Sequence, residues 1–273
     1  MTLLQSILLG IIQGLTEFLP VSSSAHLVLV PYWLGWQIPA ETAYLFDVLV
    51  QVATLFGVIS FFWKDLIAIL KAVWQGLLAR KPFADPQARL GWLLLLATIP
   101  AGIFGLLIKD IIEAAFSNEL MTAIFLWGTA VLLVIAERIG KRTRDLAQLT
   151  PWDAIWIGLF QAIAVFPGIS RSGASITGGM THDLDRPSAA RFSFLMSIPI
   201  MLAAGVLAGG DLASSPQLAE MLPVFIPGFI TAGVVGYLSI RWLLQYLVRH
   251  TFYLFAWYCL VVGTLTLIVY WVR

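Results

Sequence analysis

Long apolar blocks separated by short polar segments dominate this chain. A helix needs roughly 20 mostly apolar residues to cross a bilayer. Six blocks meet that requirement: residues 41–63, 90–108, 120–136, 187–208, 222–246 and 252–272. Two further apolar regions, 3–34 and 152–180, are broken by the polar runs 18–24 and 166–173. Each half is too short to span, and Pro20 and Pro167 remove a helix donor and crowd the preceding turn. Both regions read as re-entrant helix–loop–helix hairpins, a backbone tolerated at membrane depth only where protein buries it or water reaches it.

The two halves of the chain resemble each other. Sliding the sequence by 148 residues places Gly10 on Gly158, Gln13 on Gln161, Phe18 on Phe166, Ser22 on Ser170, Ser24 on Ser172, Phe46 on Phe194 and Gly57 on Gly205. Each half then holds one hairpin and three spans, and an odd number of spans inverts the second half relative to the first. The expected fold is all-α and integral to the membrane, one domain over residues 1–273 made of two inverted repeats, about 1–145 and about 149–273. In carriers of this plan the site lies near the midplane, where broken helices meet.

Charge gives an independent test of that topology. Lys64, Lys71, Arg80, Lys81 and Arg89 fall in the loop after the first span, and Arg138, Lys141, Arg142 and Arg144 in the loop after the third. With Arg186, Arg191, Arg241 and Arg249, 13 of the 16 basic residues lie on one side. Lys109 and Arg273 lie on the other, beside Asp110, Glu113, Asp211 and Glu220, and Arg171 is left inside. The basic side is expected to be cytoplasmic. Both termini and the first hairpin then face outward, and the second hairpin enters from the cytoplasm.

Composition supports a lipid solvent. The 273 residues are 60% hydrophobic and 11% charged, against about 25% charged in soluble domains. The 11 Trp suit a chain with two bilayer interfaces. A net charge of +1 points to no nucleic-acid partner, and the single Cys, Cys259, excludes an intrachain disulfide and reads as a small hydrophobe. Residues 1–9 carry no Lys or Arg and no small-residue cleavage site follows, so they are not expected to be a cleaved signal.

The breaks hold the chemistry. Gln13 and Glu17 share a helix face at i,i+4, and a Ser of the run Ser22, Ser23, Ser24 opens the next half-helix as a cap. Ser23 and His26 stand at i,i+3, close enough for an imidazole to meet a hydroxyl. In the second break Ser170 and Ser172 supply hydroxyls, Gly168 and Gly173 allow close approach of backbone to a ligand, and Arg171 offers a planar fork of donors. Two half-helix N-termini, an Arg and up to five hydroxyls would form an anion site of phosphate-binding strength. Ionisable groups inside a membrane are functional candidates by default. The plainer alternatives are an Arg171–Glu17 structural pair, a Gln161 that only braces its helix, and a solvated turn at Asp183, Asp185 and Arg186.

Taken together, the two motifs resemble those of the undecaprenyl-diphosphate phosphatases. Residues 13–26 are similar to that family's (Glu/Gln)-x-x-x-Glu plus Pro-x-Ser-Ser-(Ser/Thr)-x-His pattern, and residues 167–173 to its Pro-Gly-x-Ser-Arg-Ser-Gly pattern. Gln13 stands where many members carry Glu, and Ala25 where a Gly is common. The resemblance implies hydrolysis of undecaprenyl diphosphate to undecaprenyl phosphate and inorganic phosphate, recycling the lipid carrier of peptidoglycan synthesis and conferring bacitracin resistance. It also implies a homodimer. Residue chemistry suggests Arg171, Ser22, Ser24, Ser170, Ser172, Gly168 and Gly173 around the phosphate, with Glu17 and Gln13 beside a Mg²⁺ or Ca²⁺ held mainly by the diphosphate. His26 would be the general base, and Ser23 the nucleophile or the orienter of an attacking water. The competing class is a lipid-phosphate carrier on the same inverted-repeat plan.

Overall fold

The computed structural model describes residues 1–108, 118–214 and 216–272, and leaves out the side chains of 211–217. Lys109, Asp110, Glu113 and Arg273, and the side chain of Asp211, which entered the charge count, lie outside the described residues. All regular structure described is helical, in eleven α-helices and one short 3-10 turn, Leu146–Gln148. They are α1 Leu3–Phe18, α2 Ser23–Leu34, α3 Ala40–Phe61, α4 Trp63–Leu78, α5 Pro86–Leu107 and α6 Glu119–Ile139. The second half supplies α7 Pro151–Ile163, α8 Arg171–Thr181, α9 Arg186–Ser214, α10 Pro216–Leu247 and α11 Tyr253–Val272.

Six of these, α3, α5, α6, α9, α10 and α11, are long and apolar enough to cross a bilayer, and they coincide with the six apolar blocks. The shorter pairs α1–α2 and α7–α8 coincide with the two broken regions. Their starts keep the 148-residue spacing: Leu3 and Pro151 open the first half-helices, Ser23 and Arg171 the second. Thr2 and Thr150 cap the former with reciprocal capping boxes, and Ser22 and Ser170 cap the latter through their hydroxyls. The second break begins earlier than residue 166, because α7 already ends at Ile163.

Helix α4 is a departure from expectation, which made this stretch a loop. Lys64, Asp65 and Lys71 interrupt its apolar run. Its length is helical nonetheless, with Trp63, Leu70, Trp74, Leu77 and Leu78 exposed and Ile69 buried against the core. That distribution suits a helix lying along an interface.

Packing sets each hairpin against the spans, α1 on α10 and α3, and α7 on α5, while Leu4, Leu8 and Leu15 of α1 and Trp152, Leu159 and Ile163 of α7 keep an outward face. Hairpin α1–α2 lies against α10 through small residues: a Cβ on Gly10 would run into the carbonyl of Gly228, and one on Gly14 would lie 2.8 Å from the Gly236 nitrogen. Close backbone approach of this kind is how helices associate where no hydrophobic drive separates lipid from protein. At the base of α1, Phe18 and Phe194 are fully buried and meet edge-to-face at 5.6 Å.

The region of Asp183, Asp185 and Arg186 is not a loose solvated turn. Arg186 Nε donates to Glu137 Oε1 at 2.8 Å, and the same buried carboxylate accepts Arg142 NH1 at 2.8 Å and the Phe252 amide at 2.8 Å. Asp183 accepts the Lys141 amide and Asp185 the Ser188 amide. Beside it, Asp153 binds Arg144 through both oxygens, at 2.6 and 3.1 Å, and His182 Nδ1 at 2.7 Å. Burial pushes the Asp153 carboxyl up, but the Arg144, Thr150 and His182 hydrogen bonds outweigh it and hold the group well below the usual carboxylate range. Glu137 thus ties α6 to the starts of α9 and α11, and Asp153 ties the start of α7 to the residue that follows α8.

Candidate active site

The first break is a short irregular link. Helix α1 ends when Leu19 turns extended, and Val21 closes a tight turn onto the Leu19 carbonyl. Ser22 then sits at φ +69°, an unusual conformation for a residue with a side chain. Its hydroxyl caps the Ala25 amide at 3.4 Å and lies 3.2 Å from Ser24 Oγ. Ser23, the first residue of α2, donates from Oγ to Glu17 Oε2 at 2.6 Å.

Glu17 is the meeting point of the two hairpins. Oε2 also accepts Gln13 Nε2 at 3.0 Å, and Oε1 accepts Arg171 NH2 at 2.6 Å. The carboxylate is nearly buried (7% side-chain exposure) and Arg171 partly so (21%). Among the described contacts only NH2 of the guanidinium is engaged, with Glu17 and the Met201 sulfur, so Nε and NH1 keep donors for a further anion. Ser172 Oγ donates to the Leu19 carbonyl at 3.2 Å, a second tie between the breaks. Sequence spacing alone places no contact between residues 17 and 171; the structure makes the pair and also brings Ser23 to it.

Three residues sit otherwise than their spacing suggests. His26 does not face Ser23: its Nδ1 lies 2.7 Å from the Ser22 carbonyl and its Nε2 2.8 Å from Tyr258 Oη, and no hydrogen bond joins it to Ser23 among the described contacts. One helical turn brings the two side chains close in height, but the ring is turned back onto the cap. Gly168, at φ +103°, is a packing glycine, since a Cβ there would strike the Thr122 carbonyl and lie 2.7 Å from Phe125 Cβ. Gly173 likewise packs against Ser170 and, at 3.5 Å, against Pro20 of the other break.

Ser170, Ser172 and Ser22 are buried and committed to structure. Ser170 Oγ accepts the Gly173 amide at 3.1 Å and lies 3.1 Å from Ser172 Oγ. The groups left accessible around the joint are Ser23, Ser24 and Arg171, all partly exposed. Two contributors escaped the sequence reading. Thr129 of α6 donates to the Gly168 carbonyl and accepts the Ser170 amide, both at 2.8 Å, pinning the second break. Tyr258 of α11 engages His26, and Cys259 beside it is buried with Sγ 3.8 Å from the Pro20 carbonyl. Neither could be found locally, because each partner is tens to hundreds of residues away.

As for a cation, no cluster of three or more His, Cys, Asp or Glu exists among the described residues. Gln13 Oε1, however, is buried without a hydrogen-bond partner among the described residues, while the Nε2 of the same amide faces the Glu17 carboxylate. One carboxylate and one amide oxygen would leave most of an ion's coordination to diphosphate and water. Gln161, the counterpart of Gln13, has both amide atoms buried without a hydrogen-bond partner, so it braces nothing through that amide.

Substituting Gly168 by Ala is expected to lower stability by about 1–3 kcal/mol, from positive-φ strain and the Thr122 clash together. Gly102→Ala in α5, where a Cβ meets nothing within 4 Å, is the control. Thermal unfolding in detergent reads both; equal midpoints would remove Gly168 from the packing role.

The fold and the joint define a multi-pass membrane protein, helical throughout its described residues, with a half-buried Arg–Glu–Ser cluster between two broken helices. The chain belongs to the bacitracin resistance protein BacA family, which it matches over residues 6–265. It is similar to the undecaprenyl-diphosphatase of Chlorobium phaeovibrioides, 43% identical over 279 residues, covering 98% of this chain and 97% of that one. The undecaprenyl-diphosphatase of Chlorobaculum tepidum is 44% identical over 274 residues, covering 96% and 95%. That of Moorella thermoacetica is 42% identical over 273 residues, with 100% of both chains covered.

Proposed function

We propose that this protein hydrolyses undecaprenyl diphosphate to undecaprenyl phosphate and inorganic phosphate, the reaction named for its relatives. The observation that carries the reading is the joint itself: one carboxylate bonded at 2.6 Å to a hydroxyl of one hairpin and at 2.6 Å to a guanidinium of the other. A carrier needs an anion site but has no use for a carboxylate on a serine hydroxyl.

In this reading Arg171 and the free amides at the starts of α2 and α8 hold the terminal phosphate and offset charge on its equatorial oxygens. Ser23 attacks phosphorus as Glu17 takes its proton, the bond to the bridging oxygen breaks, and the lipid phosphate leaves with that oxygen. Glu17 hands that proton to the departing lipid phosphate; water then attacks the phosphoserine and gives a proton to the freed carboxylate, which returns it to Ser23 Oγ as phosphate departs. Glu17 and Gln13 Oε1 would hold Mg²⁺ or Ca²⁺ against the diphosphate, and the bound ion supplies charge neutralisation on the phosphates. The long apolar tail stays in lipid while the headgroup enters from the side.

The matched starts of α1 and α7, and of α2 and α8, support two inverted repeats with re-entrant hairpins. The basic-side excess supports a cytoplasmic face there, with both termini and the site's mouth outward. The working unit is read as a homodimer, on family resemblance. Phosphate release from undecaprenyl diphosphate by purified protein in detergent tests the activity. Release is expected to fall to background with EDTA and to return with Mg²⁺ or Ca²⁺. A well-folded protein that releases none with either ion would leave lipid transport as the better reading.

A further inference from the structure

Tyr258 stands outside both motifs, 232 positions from His26, yet its hydroxyl is 2.8 Å from Nε2 and the two rings stack at 5.6 Å and 11°. The other ring nitrogen fixes the proton bookkeeping. A carbonyl oxygen only accepts, so Nδ1, at 2.7 Å from the Ser22 carbonyl, carries a hydrogen and donates it. A neutral ring then has its lone pair on Nε2, and that lone pair accepts the Tyr258 O–H. His26 therefore has no free basic nitrogen to offer Ser23. Its ring instead holds the carbonyl of Ser22, whose amide neighbour in α2, the His26 N–H, reaches the same oxygen only at a long 3.4 Å.

The Ser22 carbonyl is where a clamp has most effect. Ser22 occupies positive φ, and the direction of its peptide sets where Ser23 begins α2 and hence where its hydroxyl points. The next residue of α11, Cys259, touches the Pro20 carbonyl, so α11 holds the break on both sides of Val21.

We infer that Tyr258 is a positioning residue for Ser23: it locks His26 in the Nδ1–H form, and the locked ring fixes Ser22 so that Ser23 meets Glu17. The inference rests on the phosphatase reading for its kinetic consequence but not for its geometry.

Tyr258→Phe removes only the hydroxyl and keeps the stacked ring, on a side chain that is 43% exposed. It is expected to lower kcat about tenfold, the worth of one hydrogen bond, with KM within about twofold, because Ser23 alignment matters in the transition state and not in binding. In a His26→Ala background the same substitution is expected to change nothing further, since Tyr258 acts through that ring. Nitrogen-15 NMR of labelled histidine is expected to show Nδ1–H for His26 in the wild type and a mixture of tautomers in Tyr258→Phe. An unchanged kcat, or equal losses from Tyr258→Phe with and without His26, would overturn the proposal. So would an Nε2–H ring in the wild type, a readout that stands even if the protein releases no phosphate or His26→Ala fails to fold. Absence of wild-type release with the Nδ1–H ring in place would instead count against the phosphatase reading alone.

Discussion

Arg171→Ala is expected to reduce phosphate release by about a thousandfold or more, the order seen when a lone arginine on a transferring phosphoryl group is lost. Arg171 is the one cation between the two breaks, and its only charged partner among the described contacts is Glu17, at 2.6 Å. The alanine variant also leaves Glu17 without its counter-charge. Given the partial exposure of the guanidinium, that costs about 1–3 kcal/mol of stability, less than for a fully buried pair. Arg171→Lys separates the two effects. A lysine keeps the charge and can still pair with Glu17, but it lacks the planar fork that grips two phosphate oxygens while holding a carboxylate. The lysine variant should therefore melt close to the wild type and still lose most of its turnover. Full activity in Arg171→Lys would reduce Arg171 to the structural pair that the sequence left open.

How the sequence could anticipate the joint, and where it could not, follows from range. Apolar length is a local property, so α3, α5, α6, α9, α10 and α11 were legible before any coordinate. The breaks were legible too, because Pro20, Pro167 and the serine runs act on their own backbone. Helix α4 was not, since three charges in its first nine residues ended the apolar run although nothing ended the helix. The site's wiring was the least legible part. Spacing put Ser23 beside His26, but the bond Ser23 makes is to Glu17, across the break and against the helical repeat. Thr129, Tyr258 and Glu137 act on partners brought close only by packing, and neither a motif nor a periodicity carries them. The neighbours of the glycines were hidden for the same reason. A missing side chain shows that something approaches, but not that α6 lies against Gly168 and Pro20 against Gly173.

Glu17→Gln is expected to lower kcat by about a hundred- to ten-thousandfold, the range for removing a general base. The amide is nearly isosteric: with its oxygen kept toward Arg171, its NH2 can donate to Ser23 Oγ, so the side chain holds its place while losing the ability to take a proton. Two roles for the carboxylate are then separable by titrating the cation. If Glu17 serves chiefly to hold Mg²⁺ or Ca²⁺, raising the ion concentration should restore turnover toward wild type, with the concentration for half-activation shifted upward. If it takes the proton from Ser23 at 2.6 Å, saturating ion restores nothing. Gln13 gives the matching control, because its amide, with Oε1 unpartnered, bonds to the carboxylate through Nε2 but carries no charge. Gln13→Ala should shift the ion requirement with a smaller loss of kcat at saturation. The expected outcome is a division of labour: the ion requirement moves with Gln13, and the chemical step fails with Glu17. A Glu17→Gln protein rescued by cation alone would transfer the proton from Ser23 to some other acceptor, and because His26 is turned onto Ser22, that acceptor would have to be the substrate itself or water.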